Sequence, residues 1–574
     1  MAIGNYSFKS IDQYLSASYT YHVPKYQRAY SWKEDSGVGD FWEDLNELVQ
    51  EGREEHFLGL IVVCHENKEN AGYDIIDGQQ RTVTAVIMLS VMRDLFYRLH
   101  HRFKIRKANS RVEDITMKYI GRFDEEQNEL KLVLSEADKI FFKENIQTLD
   151  HIEHGIERPS NKPSNKSNEL IKKAYDFFCS KLTEQLEGKD TPEEKYDVLV
   201  SYYNGLCQKF KVMYVETTDI NEAYIIFETL NARGKDLTTS DLLKNHIFQM
   251  GGKYLETIQN NWGKMLEKLD GESPDRMIRY FWNSRHKFIR TKDLYGKIRD
   301  TVSNENDSMN LSNELLRAVD IYTVLRDPDN YGNYFKDSKI NKAIRSLRIM
   351  EAKSFYPVVI AMAFADYPEK SISRILAAIE ILIFRNIIIA GKTANEYERK
   401  FAEAAMKLYG YKGDKNEIVA EVIKGFVALM ISDDEFINQF SAYSKSSKKK
   451  VLRYILIKLN DSYSREIKTN MQPEQVNIEH IMPKKMQKWG DSHILEADHE
   501  KYLWRLGNLT LLGDDYNKKA SNNVFAEKRA EYGKSDIALT KEVCDYDTWS
   551  IETILQRQKQ MAKLAVKVWP ILNA

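Results

Sequence analysis

Cysteine is scarce in this chain of 574 residues, and the four that occur are scattered along it. Cys64, Cys179, Cys207 and Cys544 form no Cys-x-x-Cys pair. Structural zinc sites and disulfide frameworks need clustered or regularly spaced cysteines, so neither is expected to hold this fold together. Such cysteine usage suits a reducing compartment, and we expect a cytoplasmic protein.

Long apolar segments are also missing. The longest, residues 375–390, is interrupted by Glu380 and Arg385 and therefore indicates a buried helix, not a membrane span. Residues 1–6 lack the basic and apolar regions of an export signal. We expect no association with a membrane.

Net charge is almost absent, because 84 basic residues face 85 acidic ones and leave a net charge of -1. The chain as a whole therefore does not resemble a nucleic-acid binder, and any DNA contact would need a local basic patch. Runs of lysine are more often a solvated helix face than a binding site. The candidate DNA-binding lysines are Lys448, Lys449, Lys450, Lys518, Lys519 and Lys528.

The phosphate-binding motif GxxxxGK[ST] is absent as well, which excludes a P-loop protein. The chain is too long for one hydrophobic core, so two to four domains are expected. With 43% hydrophobic and 29% charged residues, its composition is that of a globular protein.

The most informative stretch lies near the C-terminus and combines an acid, a histidine and two asparagines. Residues 477–483 read NIEHIMP, residues 506–512 read LGNLTLL, and Asn517 follows. Hydrolysis of a phosphodiester needs a base for water and a divalent cation for the phosphate. His480 could be that base, and Glu479 and Asn517 offer the hard oxygen ligands that suit Mg²⁺ or Mn²⁺. Strand alternation predicts that Glu479 and His480 lie on opposite faces unless the backbone bends, and Pro483 marks a plausible strand end.

A Glu-His pair alone is more often structural than catalytic. With both asparagines and the proline in order, residues of about 447–569 resemble the HNH (ββα-metal) nucleases, and more closely the C-terminal nuclease domain of GmrSD-type modification-dependent restriction enzymes. The resemblance implies that His480 is the general base, that Glu479 and Asn517 are metal ligands, and that Asn508 shapes the histidine loop. Asn517 stands where histidine is commoner, which leaves the identity of the metal open.

The first hundred residues predict a compact α/β unit. A helix over residues 41–49 and strands over 57–63 and 73–76 precede the turn Asp-Gly-Gln-Gln-Arg, and a long helix begins near Thr82. A glycine turn between strand and helix exposes backbone N–H groups that can receive an anion. The alternative is a polar turn that only caps the helix.

This turn, the upstream YQRAYSW and the downstream FETLNARGKDL together resemble the ParB-like DGQQR domain of GmrSD, SspE and BrxU-type defence proteins. The resemblance implies binding and hydrolysis of a nucleoside triphosphate, which could be GTP, ATP or another. The residues implied to bind it are Gln27, Arg28, Asp77, Gly78, Gln79, Gln80, Arg81, Asn231, Arg233 and Gly234.

The predicted fold is α+β and predominantly helical, in three parts. Residues 1–245 form the ParB-like domain, with a mobile insertion at about 157–168 that is rich in Pro, Ser, Asn and Lys. Residues 246–445 read as a helical linking region, and residues 446–574 as the HNH-like nuclease domain. A strand over 211–216 and a closing helix within 545–570 are also expected.

The resemblance implies an NTP-dependent DNA endonuclease of a type IV-like restriction system that acts in anti-phage defence on modified phage DNA. A homodimer is compatible with this. Two other classes stay open: a nucleotide- or DNA-binding regulator with a degenerate nuclease fold, and a toxin-like nuclease on RNA or unmodified DNA. The modification sensed and the nucleotide used do not follow from the sequence.

Overall fold

The structure is a computed structural model that describes residues 5–65, 72–123, 128–148, 162–220, 222–224, 226, 238–332, 334–463, 476–489 and 494–572. It contains two compact units, one of residues 1–279 and 290–319 and one of residues 280–289 and 320–574. The architecture is α+β and mostly helical, as predicted. These two compact units do not have borders at residues 245 and 445, where the sequence predicts the limits of three domains. The three-domain division stays a prediction.

A mixed six-stranded sheet lies at the centre of the first unit, in the order β1-β8-β3-β4-β2-β7. Strands β3 and β8 are parallel, as are β2 and β4, whereas β1 with β8 and β3 with β4 are antiparallel. A separate pair consists of β5 and β6. The strands are β1 (Asn5–Ser10), β2 (Thr20–His22), β3 (His56–Cys64), β4 (Gly72–Asp77), β5 (Gly121–Phe123), β6 (Asn128–Leu130), β7 (Leu132–Val133) and β8 (Phe210–Thr217).

Helices cover the sheet, and the longest of them, residues 79–103, is buried through its first eighteen residues because its side chains are apolar on nearly every face. The strands and first helix predicted from the sequence are confirmed, with ends that extend by one to three residues. The helices that begin within this part of the chain are α1 (Ile11–Leu15), α2 (Val38–Gln50), α3 (Gln79–Phe103), α4 (Arg106–Ile115), α5 (Glu136–Phe142), α6 (Lys166–Leu186), α7 (Pro192–Asn204), α8 (Thr239–Gln249), α9 (Leu255–Leu269), α10 (Asp275–Asn283), α11 (Thr291–Arg299) and α12 (Glu305–Arg326).

Among its described residues, the second unit is helical apart from one antiparallel pair of strands, β9 (Asn477–His480) with β10 (Leu509–Leu512). The predicted buried helix at 375–390 and the closing helix near the C-terminus are confirmed. The helices are α13 (Pro328–Tyr331), α14 (Ser338–Ile349), α15 (Tyr356–Phe364), α16 (Glu369–Ile383), α17 (Ala394–Gly410), α18 (Lys415–Ala428), α19 (Asp433–Ala442), α20 (Lys449–Tyr463), α21 (Glu496–Leu503), α22 (Asp514–Ala520), α23 (Phe525–Tyr532), α24 (Ala538–Lys541) and α25 (Ile551–Val568).

The predicted mobile insertion at 157–168 differs from the structure at its C-terminal end. Residues 149–161 lie outside the described part, but α6 already begins at Lys166. The Asn165 side chain caps this helix by accepting from Asn168 N (2.8 Å), and the buried Asn168 donates to Asp138 (2.9 Å). Polar residues without apolar neighbours adopt regular structure here because their side chains form hydrogen bonds with the free N–H groups at the start of a helix and with a buried carboxylate.

The described helices include none that is both long enough and apolar enough to cross a bilayer.

Candidate functional site

The end of β9 is held by the side chain of Asn508. Its Oδ1 accepts from Met482 N (2.7 Å) and from Trp549 Nε1 (3.0 Å). Its Nδ2 donates to the carbonyl oxygens of Met482 and Leu503, each at 3.1 Å. These four hydrogen bonds use the full capacity of an asparagine amide. Asn508 thus fixes the backbone that follows His480, as the resemblance implied.

Helix α25 holds the same turn from the other side. The buried Arg557 donates to the carbonyl oxygens of Gly507 (2.9 Å) and Leu509 (2.8 Å), and Gln558 accepts from Gly507 N (3.2 Å). A Cβ at position 507 would lie 2.1 Å from the carbonyl oxygen of Ile554, so only glycine allows this close approach. The sequence reasoning missed Arg557, and the only available signal was the Gly-Asn turn.

Glu479 is buried, and its carboxylate accepts hydrogen bonds from side chains of helices α22 and α23. Its Oε1 accepts from Lys528 Nζ (2.6 Å) and Tyr532 OH (2.8 Å), and its Oε2 accepts from Asn517 Nδ2 (3.1 Å). The Lys528 ammonium also donates to His480 O (2.7 Å). Glu479 and Asn517 are therefore brought together, as predicted, and Asn517 lies on α22.

Lys528 does not fit the expected DNA contact, because its side chain is 0% exposed. Burial lowers the pKa of its ammonium, and the adjacent Glu479 carboxylate opposes that shift. Its role is to neutralise and orient Glu479. The other predicted lysines are exposed, although Lys448 is paired with Glu351 at 2.5 Å. The exposed set is Lys448, Lys449, Lys450, Lys518 and Lys519.

His480 is buried beside Trp504, with the two rings edge-on at a centroid distance of 4.5 Å. Its Nε2 has no hydrogen-bond partner in the part of the chain that the structure describes. Burial, followed by the positive charges of Lys484, Lys528 and Lys449, lowers the pKa of the imidazole to about 3. The ring is neutral near pH 7, with a nitrogen lone pair available to accept a proton or bind a cation.

Whether these residues could hold a metal depends on their donor atoms. No group of three or more His, Cys, Asp and Glu side chains suited to a metal occurs among the described residues. Asn517 Nδ2 donates to Glu479 Oε2, and the side-chain oxygen Oδ1 of Asn517 accepts no hydrogen bond from another described residue. Mg²⁺ and Mn²⁺ are commonly held by one or two protein oxygens, with water and phosphate completing the shell. Glu479 and Asn517 supply oxygen donors that fit such an ion.

In the first unit, the predicted phosphate turn joins β4 to α3. Gly78 has φ +90°, and a Cβ there would lie 2.3 Å from Ile61 Cδ1 and 2.9 Å from Leu60 O. Glycine is required by both conformation and space. Helix α3 starts at the next residue, so its first backbone N–H groups point towards the turn.

The three glutamines predicted to bind nucleotide are buried and bond to the backbone of their own unit. Gln79 donates to Arg28 O (2.9 Å), and Gln80 accepts from Ser31 N (2.9 Å). Gln27 donates to Ile76 O (2.7 Å) and accepts from Lys244 (2.6 Å). Their amides hold the segment around Arg28 against the start of α3, which builds a wall instead of offering free ligand groups.

A cavity of about 560 Å³ opens above this turn, a size typical of small-ligand pockets. The Arg28 side chain lines it and makes no hydrogen bond or ion pair with another described residue, whereas Arg81 donates to Leu60 O (2.6 Å) and lies 3.9 Å from Asp77. Burial lowers the pKa of Lys244, which also lines the cavity; Asp241 opposes this shift and Arg28 adds to it. The predicted Asn231, Arg233 and Gly234 lie outside the described residues.

Two family models match the chain. The N-terminal domain model of the GmrSD restriction endonuclease matches residues 8–248, and the C-terminal domain model of the GmrSD restriction endonucleases matches residues 430–564. Together the two ranges cover more than half of the chain. The chain belongs to the GmrSD restriction endonuclease family. No curated protein matches it.

The two sites divide between the two GmrSD matches. The cavity above Gly78 lies within the N-terminal match, and the His480 site within the C-terminal match. As a GmrSD restriction endonuclease, the chain has DNA as its implied partner. Lys484 and Trp504 lie beside His480 within the C-terminal match, yet no spacing rule in the sequence points to them.

Proposed function

We propose that this chain is an NTP-dependent DNA endonuclease of a modification-dependent, type IV-like restriction system. The observation that carries this proposal is a pair of buried polar side chains at consecutive positions of β9: the neutral His480, whose Nε2 has no hydrogen-bond partner among the described residues, and Glu479, which contacts Asn517. A buried base next to oxygen donors is the arrangement that phosphodiester hydrolysis needs. Membership of a restriction endonuclease family supports DNA as the substrate.

In this proposal His480 Nε2 accepts a proton from the attacking water. Glu479 and Asn517 would hold Mg²⁺ or Mn²⁺, which supplies charge stabilisation at the scissile phosphate when bound. Lys528 and Tyr532 orient Glu479 by occupying Oε1, which leaves Oε2 on the side of Asn517. Asn508 keeps the residues after His480 in one conformation.

The first unit is proposed to bind the triphosphate at the start of α3. Helix N–H groups and the Arg28 guanidinium favour an anion at this position. Asp77 and Arg81 lie on the same wall. Binding or hydrolysis of the nucleotide would license cleavage once modified DNA has been sensed.

The nuclease is tested with purified full-length protein, Mg²⁺ and three substrates: modified phage DNA, unmodified plasmid and RNA, each with and without GTP or ATP. We expect cleavage of modified DNA that depends on a triphosphate and is lost in His480→Ala. Loss of a general base lowers the rate about 10²- to 10⁴-fold. Cleavage of RNA or of unmodified plasmid would favour the toxin-like alternative. Protection of cells by His480→Ala would favour the regulator.

The nucleotide site is tested by triphosphate turnover in Asp77→Ala and Arg81→Ala. We expect both variants to lose turnover while retaining the thermal unfolding midpoint of the parent protein to within a few degrees. Unchanged turnover in either variant would place the nucleotide elsewhere.

A further inference from the structure

Two lysines from different elements converge on one tryptophan beside His480. Lys449 is the first residue of α20, and Lys484 follows the proline that ends the β9 segment. Their Nζ atoms lie 5.8 Å and 5.6 Å from the centroid of the Trp504 ring. That ring is the one in edge contact with His480. Both ammonium groups are thereby anchored next to the proposed base.

Neither of these ammonium groups has a carboxylate partner in the part of the chain that the structure describes. The neighbouring lysines behave differently: Lys448 pairs with Glu351, and the buried Lys528 pairs with Glu479. Lys449 and Lys484 are exposed at the surface, and the indole ring attracts both of their ammonium groups. Two exposed and unneutralised cations around one aromatic ring attract an anion.

We propose that Lys449 and Lys484, held by Trp504, form a clamp for the phosphodiester backbone of the DNA strand that is cut at His480. The inference rests on the proposed nuclease function and adds the residues that hold the strand. A phosphodiester carries one negative charge per nucleotide, so two lysines can neutralise two phosphates of one strand. Contacts of this kind set the register of the strand without reading its sequence.

The test measures binding of a labelled DNA duplex to full-length protein in EDTA, which prevents cleavage, over a range of salt concentrations. The variants are Lys449→Ala and Lys484→Ala, and the matched control is Lys424→Ala on the exposed surface of α18. Each clamp variant should reduce the slope of log K against log salt by about one, equivalent to about eightfold weaker binding at 0.1 M salt. Lys424→Ala should leave the slope unchanged.

Arginine rescue separates a phosphate contact from a packing role. Lys484→Arg keeps the charge, and we expect it to restore the slope that Lys484→Ala loses. The clamp is overturned if the wild-type protein binds DNA and both alanine variants show the same slope of log K against log salt as the wild type. A failure of the nuclease function gives a different result. If the alanine variants lower the slope but the wild-type protein never cuts DNA in Mg²⁺, the proposed function is wrong and the clamp remains. Absence of any DNA binding by the wild type would overturn both.

Discussion

At the scale of single residues, burial decides what each polar group can do. His480, Glu479, Asn508 and Asn517 could be predicted because their order and spacing already encode a strand, a turn and a second strand. Lys528 could not, because a lysine in a charged helix normally faces solvent, and only packing against β9 buries it. The amides of glutamines are equally ambiguous in sequence, since they bind backbone as readily as ligand.

The buried neutral His480 should make folding stability depend on pH. Its pKa of about 3 in the folded state lies below the ordinary 6.5, so below pH 6.5 the unfolded chain binds a proton that the folded chain does not. The free energy of unfolding should therefore fall as pH drops, by about 2 kcal/mol between pH 7 and 5. Urea unfolding in EDTA measures this, and His480→Gln should lack that component. Equal pH dependence in the two proteins would contradict the buried neutral ring.

Loss of the Lys528 charge should destabilise the second unit. Lys528→Met leaves the Glu479 carboxylate buried without its ammonium partner, which typically costs about 3–5 kcal/mol. The matched change Lys519→Met, on the exposed surface of α22, should stay within about 0.5 kcal/mol of wild type. Urea unfolding compares the two variants. Similar stabilities would mean that Lys528 is solvated.

At the scale of elements, periodicity predicts the regular pieces well and their junctions poorly. The strands around the DGQQR turn appear within about a residue of the prediction because buried β-branched runs between turn residues allow few alternatives. The start of α6 was missed because Asn165 and Asn168 read as loop residues in the sequence. Their side-chain amides donate to Ala137 O and Asp138, which lie far away in sequence. Long-range partners of this kind leave no local pattern.

The packing of α25 on the Gly507 turn gives a prediction with a control in the same segment. Gly507→Ala places a methyl group against the carbonyl oxygen of Ile554, so it should cost about 1–3 kcal/mol and reduce cleavage by moving Asn508. Gly513→Ala meets no atom within 4 Å and has φ -65°, so stability and cleavage should be unchanged. Thermal unfolding and cleavage rates measure both. Equal stabilities and equal cleavage rates of the two variants would show that the Gly507 turn can move without consequence.

At the scale of the whole molecule, the proposed nucleotide and nuclease residues fall in different compact units. The resemblance implies two activities in one chain but does not give the unit borders, and the predicted border at residue 245 falls inside α8. If each unit carries one of the two proposed activities, a variant in one unit should leave the chemistry of the other unit intact.

The separation can be tested with one variant in each unit. His480→Ala should keep triphosphate turnover at the wild-type rate, because no described residue of the cavity changes. Arg28→Ala should lose the stimulation of DNA cleavage by triphosphate, because it removes a cation that lines the cavity and has no other partner among the described residues. Turnover and cleavage assays on both proteins measure this. Cleavage by Arg28→Ala that still responds to the triphosphate would show that nucleotide binding does not depend on this cavity.

The turn that shapes the His480 loop depends on residues synthesised late. Asn508 accepts a hydrogen bond from Trp549, 41 positions downstream, and Gly507 is held by Arg557, 50 positions downstream. A nascent chain that has already produced its histidine on the ribosome therefore still lacks two of the groups that set its geometry. If His480 is the proposed general base, a chain synthesised only as far as β10 should not yet be able to cut DNA, because Trp549 and Arg557 are still missing.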